Sequence, residues 1–427
     1  MMMTWTRAAL VGSIFTCLHK KRAALAEAKR DIVQHSAADP SYELKLVQVI
    51  FRHGARTPLK PIPHSEQVEW SPTLLETPKH TLFNYRVTDL EGGPKPPSPF
   101  EERYRSNKLK GGAFPGQLTT IGMQQAFSLG ARLRKDYVEE RSFLSPTFKP
   151  SEIYARSTNI VRNVESMRCL LAGLFQQQQE GPITIVTSDA ESEILYPNYQ
   201  GCKKLKYLTS RRMPLAFSQP GMKDELTKLH QDLHIDSSNE VDFFVLIDNL
   251  LAEQAHGFPF SVQYEGYLQR TERKVIDIVS YMVRPNDREV MKLMVGPFLY
   301  ALQSNILEAT RRSSDDTQSR KLFLYASHDV TLVPLLVAFG IFDQKWPPYA
   351  ADITLELYQH QPSREWFTRL SYNGKEQVVK GCSSSLCPLD QFLNALSEVV
   401  INPEDYKTKC CLTEAETAEK TQADFIP

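Results

Sequence analysis

One short run constrains this chain more than any other. Leu44–Phe51 (LKLVQVIF) is apolar and rich in β-branched residues, and Arg52-His53-Gly54-Ala55-Arg56-Thr57-Pro58 follows it at once. Such a run reads as a buried strand. Strands buried on both sides belong to sheets with helices on both faces. The charged segment cannot sit in that core, so it must lie just past the strand's C-terminal end. In parallel sheets, that end is where ligands bind.

The rest of the chain supports the same architecture. Strand-like runs recur at Glu152–Ala155, Ile183–Val186, Leu322–Ala326 and Ile353–Tyr358. Between them, apolar spacing predicts helices over Thr120–Tyr137, with Thr119 or Thr120 as N-cap, and over Ile160–Phe175 and Val295–Ala309. The fold class expected is therefore α/β, a mainly parallel sheet with helices on both faces plus an inserted, mostly helical cap. The predicted division has a core over 41–194, interrupted by a proline-rich irregular insertion at 57–116, then a helical cap over 195–290. The core resumes over 291–408, and an acidic, polar tail over 409–427 is expected to be disordered.

Residues 1–32 read as a targeting segment. Arg7, Lys20, Lys21, Arg22, Lys29 and Arg30 are basic, and the first acidic residue is Glu27. That pattern predicts a mitochondrial presequence, with a secretory signal as the alternative. The apolar run Ala8–Leu18 is shorter than the roughly 20 residues that span a membrane. Cysteines at 17, 169, 202, 382, 387, 410 and 411 are too scattered for a disulfide scaffold, although Cys382 and Cys387 could pair in an oxidising compartment. Lys+Arg and Asp+Glu are both 50, so the basic surplus of a nucleic-acid binder is missing. Any anion must be held by a local cluster.

Three of the predicted strands end in groups suited to phosphate: Arg52-His53-Gly54-Ala55-Arg56, Arg156-Ser157-Thr158 and Ser327-His328-Asp329. Were these strands neighbours, their arginines would grip phosphate oxygens through paired hydrogen bonds. An imidazole could attack phosphorus and carry the phosphoryl group, and a carboxylic acid could protonate the departing alcohol. Each piece alone has a structural explanation, since strand-end histidines and helix-capping aspartates are common. Together they do not: at average composition, Arg-His-Gly-x-Arg-x-Pro arises by chance on the order of once in 10,000 chains of this length. These residues leave open whether His53 or His328 is the nucleophile.

RHGARTP with a distant SHD resembles the histidine acid phosphatase branch of the histidine phosphatase superfamily. Further likeness lies in Gly116-Gln117-Leu118-Thr119, Arg156-Ser157-Thr158 and Pro347-Pro348-Tyr349-Ala350, and it spans roughly Leu44 to Leu393. The resemblance implies His53 as the nucleophile, Asp329 as the general acid, and Arg52, Arg56, Arg156 and His328 as phosphate ligands, with no metal and no cofactor. Closer likeness in RSTNI (156–160), ILYPNYQ (194–200) and KWPPYA (345–350) implies a small-molecule lipid phosphate as substrate. A monomer is expected, with transient membrane-surface contact and no nucleic-acid partner. Val330 departs from the Thr that many members carry after the His-Asp pair, with little effect expected on the chemistry.

Rival designs lack support. His230 and His234 are four apart, but Gln231 stands where a catalytic zinc helix needs Glu. No Cys-x5-Arg loop, Gly-x-Ser-x-Gly elbow or Walker A loop is present. Phe243, Phe244, Leu246, Leu250, Leu251, Phe258 and Phe260 could line an acyl channel, yet core packing is the stronger expectation for such a stripe. A phosphate dianion beside Asp329 would raise its ordinary pKa of ~3.9, so a mildly acidic to neutral optimum is expected.

Overall fold

The computed structural model describes residues 40–62, 68–236, 241–258, 262–284, 287–311, 320–414 and 416–417. The targeting segment over 1–32, Cys17 and Phe260 lie outside the described residues. The strands are β1 (Tyr42–Arg52), β2 (Tyr85–Thr88), β3 (Ile153–Ser157), β4 (Ile183–Val186), β5 (Leu322–Ser327), β6 (Asp352–His360), β7 (Trp366–Tyr372), β8 (Lys375–Gln377) and β9 (Leu386–Pro388). They form one sheet in the order β2-β4-β3-β5-β1-β6-β7-β8, with β9 against β7. Pairing is parallel from β2 to β1 and antiparallel from β6 onward.

The central strands serve two separate cores. On β5, Leu322, Leu324 and Ala326 face one core, while Phe323 and Tyr325 face the other. The first core is closed by α2 (Thr120–Arg134) and α3 (Val161–Phe175), which follow a short α1 (Pro99–Tyr104). These two helices meet backbone to backbone: a Cβ on Gly130 would lie 1.9 Å from Leu170 O, and one on Gly173 2.1 Å from Phe127 O. Thr119 caps α2 as expected, accepting from Gly122 N, and a π-helical turn over Lys135–Glu140 prolongs the helix. The second core is closed by α8 (Arg288–Arg311) and α9 (Asp329–Phe339).

Between β4 and α8 the described chain is helical: α4 (Lys203–Phe217), α5 (Met222–Asp232), α6 (Phe243–Ala255) and α7 (Val262–Met282). Phe243, Leu246 and Leu250 are buried, with Phe244 and Leu251 packed against the same core, so that stripe is packing. Asp242 caps α6 by accepting from Phe244 N and Val245 N. The chain closes with α10 (Leu389–Leu396) and α11 (Pro403–Lys409).

The structure corrects some expectations and fills in others. The supposedly irregular insertion over 57–116 contains β2, which adds an edge strand to β4. The hairpins from β6 onward turn the sheet antiparallel at one end, as large mixed sheets often do. The tail expected to be disordered from 409 is anchored at its start, because Cys410 is buried and disulfide-bonded to Cys202. Lys204 also pairs with Glu416. Cys382 and Cys387 form a second disulfide. His230 and His234 do not share a helix face: α5 ends at Asp232, and His230 Nε2 lies 2.8 Å from Val241 O.

Candidate active site

Strand register brings the chemistry together. β5 lies between β1 and β3, pairing Arg52 with Ser327 and Ala326 with Ser157. The ladder continues past the strand ends, with His53 N donating to Ser327 O at 3.2 Å and Thr158 N to Ala326 O at 3.2 Å. Three catalytic-type segments thus leave the sheet side by side, the condition that the sequence left open.

The loop after β1 is held against the start of α2. A Cβ on Gly54 would fall 2.1 Å from Gly122 O, and one on Gly122 2.0 Å from Ala55 O. Only glycine fits at either position. Ala55 O accepts from Thr119 N at 3.0 Å, Thr57 N donates to Gln117 O at 3.0 Å, and Gly54 N donates to Ser166 Oγ at 3.2 Å. The likeness in Gly116–Thr119 has a physical basis here, since that segment zips up the loop that carries His53 and Arg56.

His53 is buried, with Nδ1 2.9 Å from Gly54 O. A carbonyl only accepts, so Nδ1 carries the proton and Nε2 keeps its lone pair. Burial, then the positive charges of Arg162, Arg56 and Arg52, hold the His53 pKa well below its usual value. The ring is therefore neutral at neutral pH, with the Nε2 lone pair free. His328 is similarly depressed, first by burial and then by Arg162, and its Nε2 meets Thr158 Oγ1 at 3.0 Å. The two rings stand 5.5 Å apart, centroid to centroid.

Asp329 opens α9. Its Oδ2 meets Arg52 Nη2 at 2.7 Å and accepts from Trp346 Nε1 at 3.3 Å, while Oδ1 accepts from Val330 N at 2.8 Å. Burial raises its pKa, but Arg52, Arg56, His328 and the Val330 amide outweigh that and leave it lowered. The carboxyl is therefore ionised at neutral pH, and a phosphate engaging the arginines would act against that lowering. Val330 touches this acid through its backbone N–H alone, and its side chain is exposed, so the departure from Thr leaves that bond intact.

The arginines separate into two kinds. Arg52 and Arg56 stand where the sequence put them. Arg52 donates to Pro347 O at 2.6 Å and lies 4.2 Å from the Tyr349 ring, and Arg56 pairs with Asp248 of α6 at 2.7 Å. Arg156 instead pairs with buried Glu193 at 3.2 Å, which makes it a strut between β3 and the loop after β4. Sequence reasoning missed Arg162, buried in the first turn of α3, with Nε and Nη1 both lacking a partner. Its charge depresses both histidines. No local signal marked it: the Glu101 carboxylate already accepts from Val161 N at 2.8 Å at that helix end, so a first-turn cation there needs no further anion to explain it.

Donor bookkeeping defines what the pocket accepts. Arg52 Nε, Arg56 Nε, Arg156 Nε, Arg162 Nε and Nη1, and Tyr349 Oη are buried without a partner. Leaving buried donors unpaired costs about 1–3 kcal/mol each, more when charged. Those of Arg52, Arg56 and Arg162, whose charges act on the two imidazoles, form a cradle for a compact anion with several acceptor oxygens. No His, Cys, Asp and Glu grouping among the described residues could hold a metal ion.

A fold in which the chemistry hangs from the ends of β1, β3 and β5 defines a class, and residues 43–373 match the profile of the histidine phosphatase superfamily (branch 2). The chain belongs to that family of phosphoric monoester hydrolases. Among its relatives, lysophosphatidic acid phosphatase type 6 of Homo sapiens is 53% identical over 97% of this chain and 96% of that protein. The Mus musculus protein of the same name is 51% identical over 96% of this chain and 98% of its own length. Human prostatic acid phosphatase is 25% identical, over 90% of this chain and 92% of that protein. The phytase from Citrobacter braakii shares the fold, with a TM-score of 0.57 at 14% identity, over 87% of this chain and all of that one.

Proposed function

We propose that the protein hydrolyses lysophosphatidic acid to monoacylglycerol and inorganic phosphate. His53 Nε2 attacks phosphorus, the P–O ester bond breaks, and the proton of the Asp329 carboxyl passes to the departing alkoxide. Water then attacks the phosphohistidine, returning a proton to Asp329 as the P–N bond breaks. Arg52, Arg56, Arg162 and His328 hold the phosphoryl oxygens, with Arg156 bracing the pocket wall. One observation carries the chemistry: a buried, neutral His53 with a bare Nε2 amid unpartnered guanidinium donors. The lipid substrate rests on the likeness to the type 6 phosphatases.

Phosphate release from lysophosphatidic acids of graded chain length, beside glycerol 3-phosphate, tests this reading. His53-dependent turnover that rises with tail length is expected. Turnover indifferent to the tail would make the enzyme a broad phosphomonoesterase, and no turnover on any ester would make it a phospholipid-binding protein.

We also propose a monomer that meets membranes transiently and resides in mitochondria, in a compartment that oxidises thiols. The basic segment before Glu27 supports the targeting, and the two disulfides support the redox setting. Recovery of the mature protein in the secretory fraction, or with all its thiols free, would refute that location.

A further inference from the structure

We propose that Trp346 is a positioning residue for the acid–base carboxylate. Its indole N–H, tethered to the helical insertion through Glu272, fixes one oxygen of Asp329 so that the other faces the departing alcohol. This rests on the reading of Asp329 as general acid and base.

The two carboxylate oxygens are not equivalent. Oδ2 meets two groups that can only donate, Arg52 Nη2 at 2.7 Å and Trp346 Nε1 at 3.3 Å. A proton on Oδ2 would face both donors, so it is excluded there. Oδ1 meets the Val330 amide at 2.8 Å and keeps a free lone pair. The exchangeable proton therefore resides on Oδ1, and the Arg52–Trp346 pair sets its direction.

Trp346 is itself held. Its backbone N–H donates to Glu272 Oε1 of α7 at 2.9 Å, and Lys345 N donates to Asp343 Oδ1 at 3.2 Å. The next residues wrap Arg52, with Pro347 O accepting from Nη1 and the Tyr349 ring lying against the guanidinium. The segment Lys345–Ala350 thus clamps both members of the Arg52–Asp329 pair. α7 of the insertion reaches the chemistry through Glu272 and Trp346.

Proton delivery matters for a poor leaving group such as a glycerol alkoxide and hardly at all for p-nitrophenolate, which separates this role from phosphate binding. Trp346→Phe keeps the ring and removes the donor. We expect kcat/KM to fall about 10-fold on lysophosphatidic acid, the size of one lost hydrogen bond, and less than about 2-fold on p-nitrophenyl phosphate. The alkaline limb of kcat/KM moves to higher pH, because ionised Asp329 loses a donor while Arg52 of β1, Arg56 of the loop and His328 before α9 still face it. Glu272→Ala, which frees the Trp346 backbone but keeps the indole, shows the same selective loss at smaller size. Equal losses on both esters with an unshifted limb, or no loss on either, would overturn the proposal. Asp329→Asn is measured alongside. Should it also treat both esters alike, the general-acid reading fails, whatever Trp346 does.

Discussion

Two arginine clusters flank the same sheet, one around buried Glu356 and one at the parallel strand ends, and they are built to opposite ends. At the antiparallel side, Glu356 of β6 accepts from Tyr137 Oη at 2.9 Å and Arg141 Nη1 at 2.6 Å through one oxygen, and from Arg369 Nε at 2.7 Å through the other. Arg141 also reaches Tyr358 Oη at 2.7 Å, and Arg369 reaches Glu376 at 3.1 Å. Two cations meet two anions, and none of these four has a buried side-chain nitrogen or oxygen left unpartnered. At the parallel strand ends, the only acids that Arg52, Arg56, Arg156 and Arg162 meet among the described residues are Asp329, Asp248 and Glu193, and each guanidinium keeps at least one buried nitrogen unpaired. The first cluster is complete in the folded chain. The second is one anion short, a deficit that the phosphate of the proposed reaction would fill.

The sharpest way to break this contrast is to remove the central acid of the complete cluster. Glu356→Gln leaves two partly buried guanidinium groups underpaired and should lower unfolding stability by about 1–3 kcal/mol. Turnover per folded molecule should stay within about 3-fold. A denaturant titration run beside an assay at low temperature checks both, and a large loss of turnover with little loss of stability would erase the distinction.

Arg162→Ala should behave in the opposite sense. With one of the open donors gone, kcat/KM should fall on the order of 100-fold or more while stability holds or rises slightly. Arg156→Ala should cost less activity and more stability, because it strands buried Glu193. Steady-state kinetics and thermal melts on the two variants rank them. Equal kinetic losses would put Arg156 back among the phosphate ligands on a par with Arg162.

The smallest effect concerns pH. His53 and His328 have folded pKa values below their usual 6.5, so the unfolded chain binds more protons than the native one below that pH. Their contribution is intact at neutrality and is lost as pH falls below about 6.5, by at most roughly 1.4 kcal/mol per unit for each ring. Asp329, whose pKa is lowered, acts only below its usual range of about 4. Melting temperatures between pH 7 and 4.5 should therefore decline, and saturating inorganic phosphate should flatten the decline by offering the imidazolium rings a partner. A stability profile flat over that range without phosphate would contradict the buried neutral pair.

Much of this was legible in the sequence where local pattern and chemistry coincided. The buried run ending at Phe51 and the capping Thr119 marked their elements correctly, and His53, His328 and Asp329 followed from the strand ends on which they sit. What the sequence hid depended on pairings at long range. Arg141, Arg156, Arg162 and Arg369 look alike in a string of letters, and only their partners tell strut from ligand. β2 is a four-residue edge strand in a proline-rich stretch, too short to show a period. Cys410 lies 208 residues from its partner, in a segment whose polar composition suggested a loose tail.

The central claim is that the incomplete cluster exists to pass a phosphoryl group through His53. Rapid quench of the enzyme with ³²P-labelled substrate into alkali, where phosphohistidine survives, followed by peptide mapping, tests it directly. The label should appear on the peptide carrying His53, form within one turnover, and vanish on a chase with unlabelled substrate. Label on His328 or on Asp329, or turnover with no labelled protein at any time, would contradict the account.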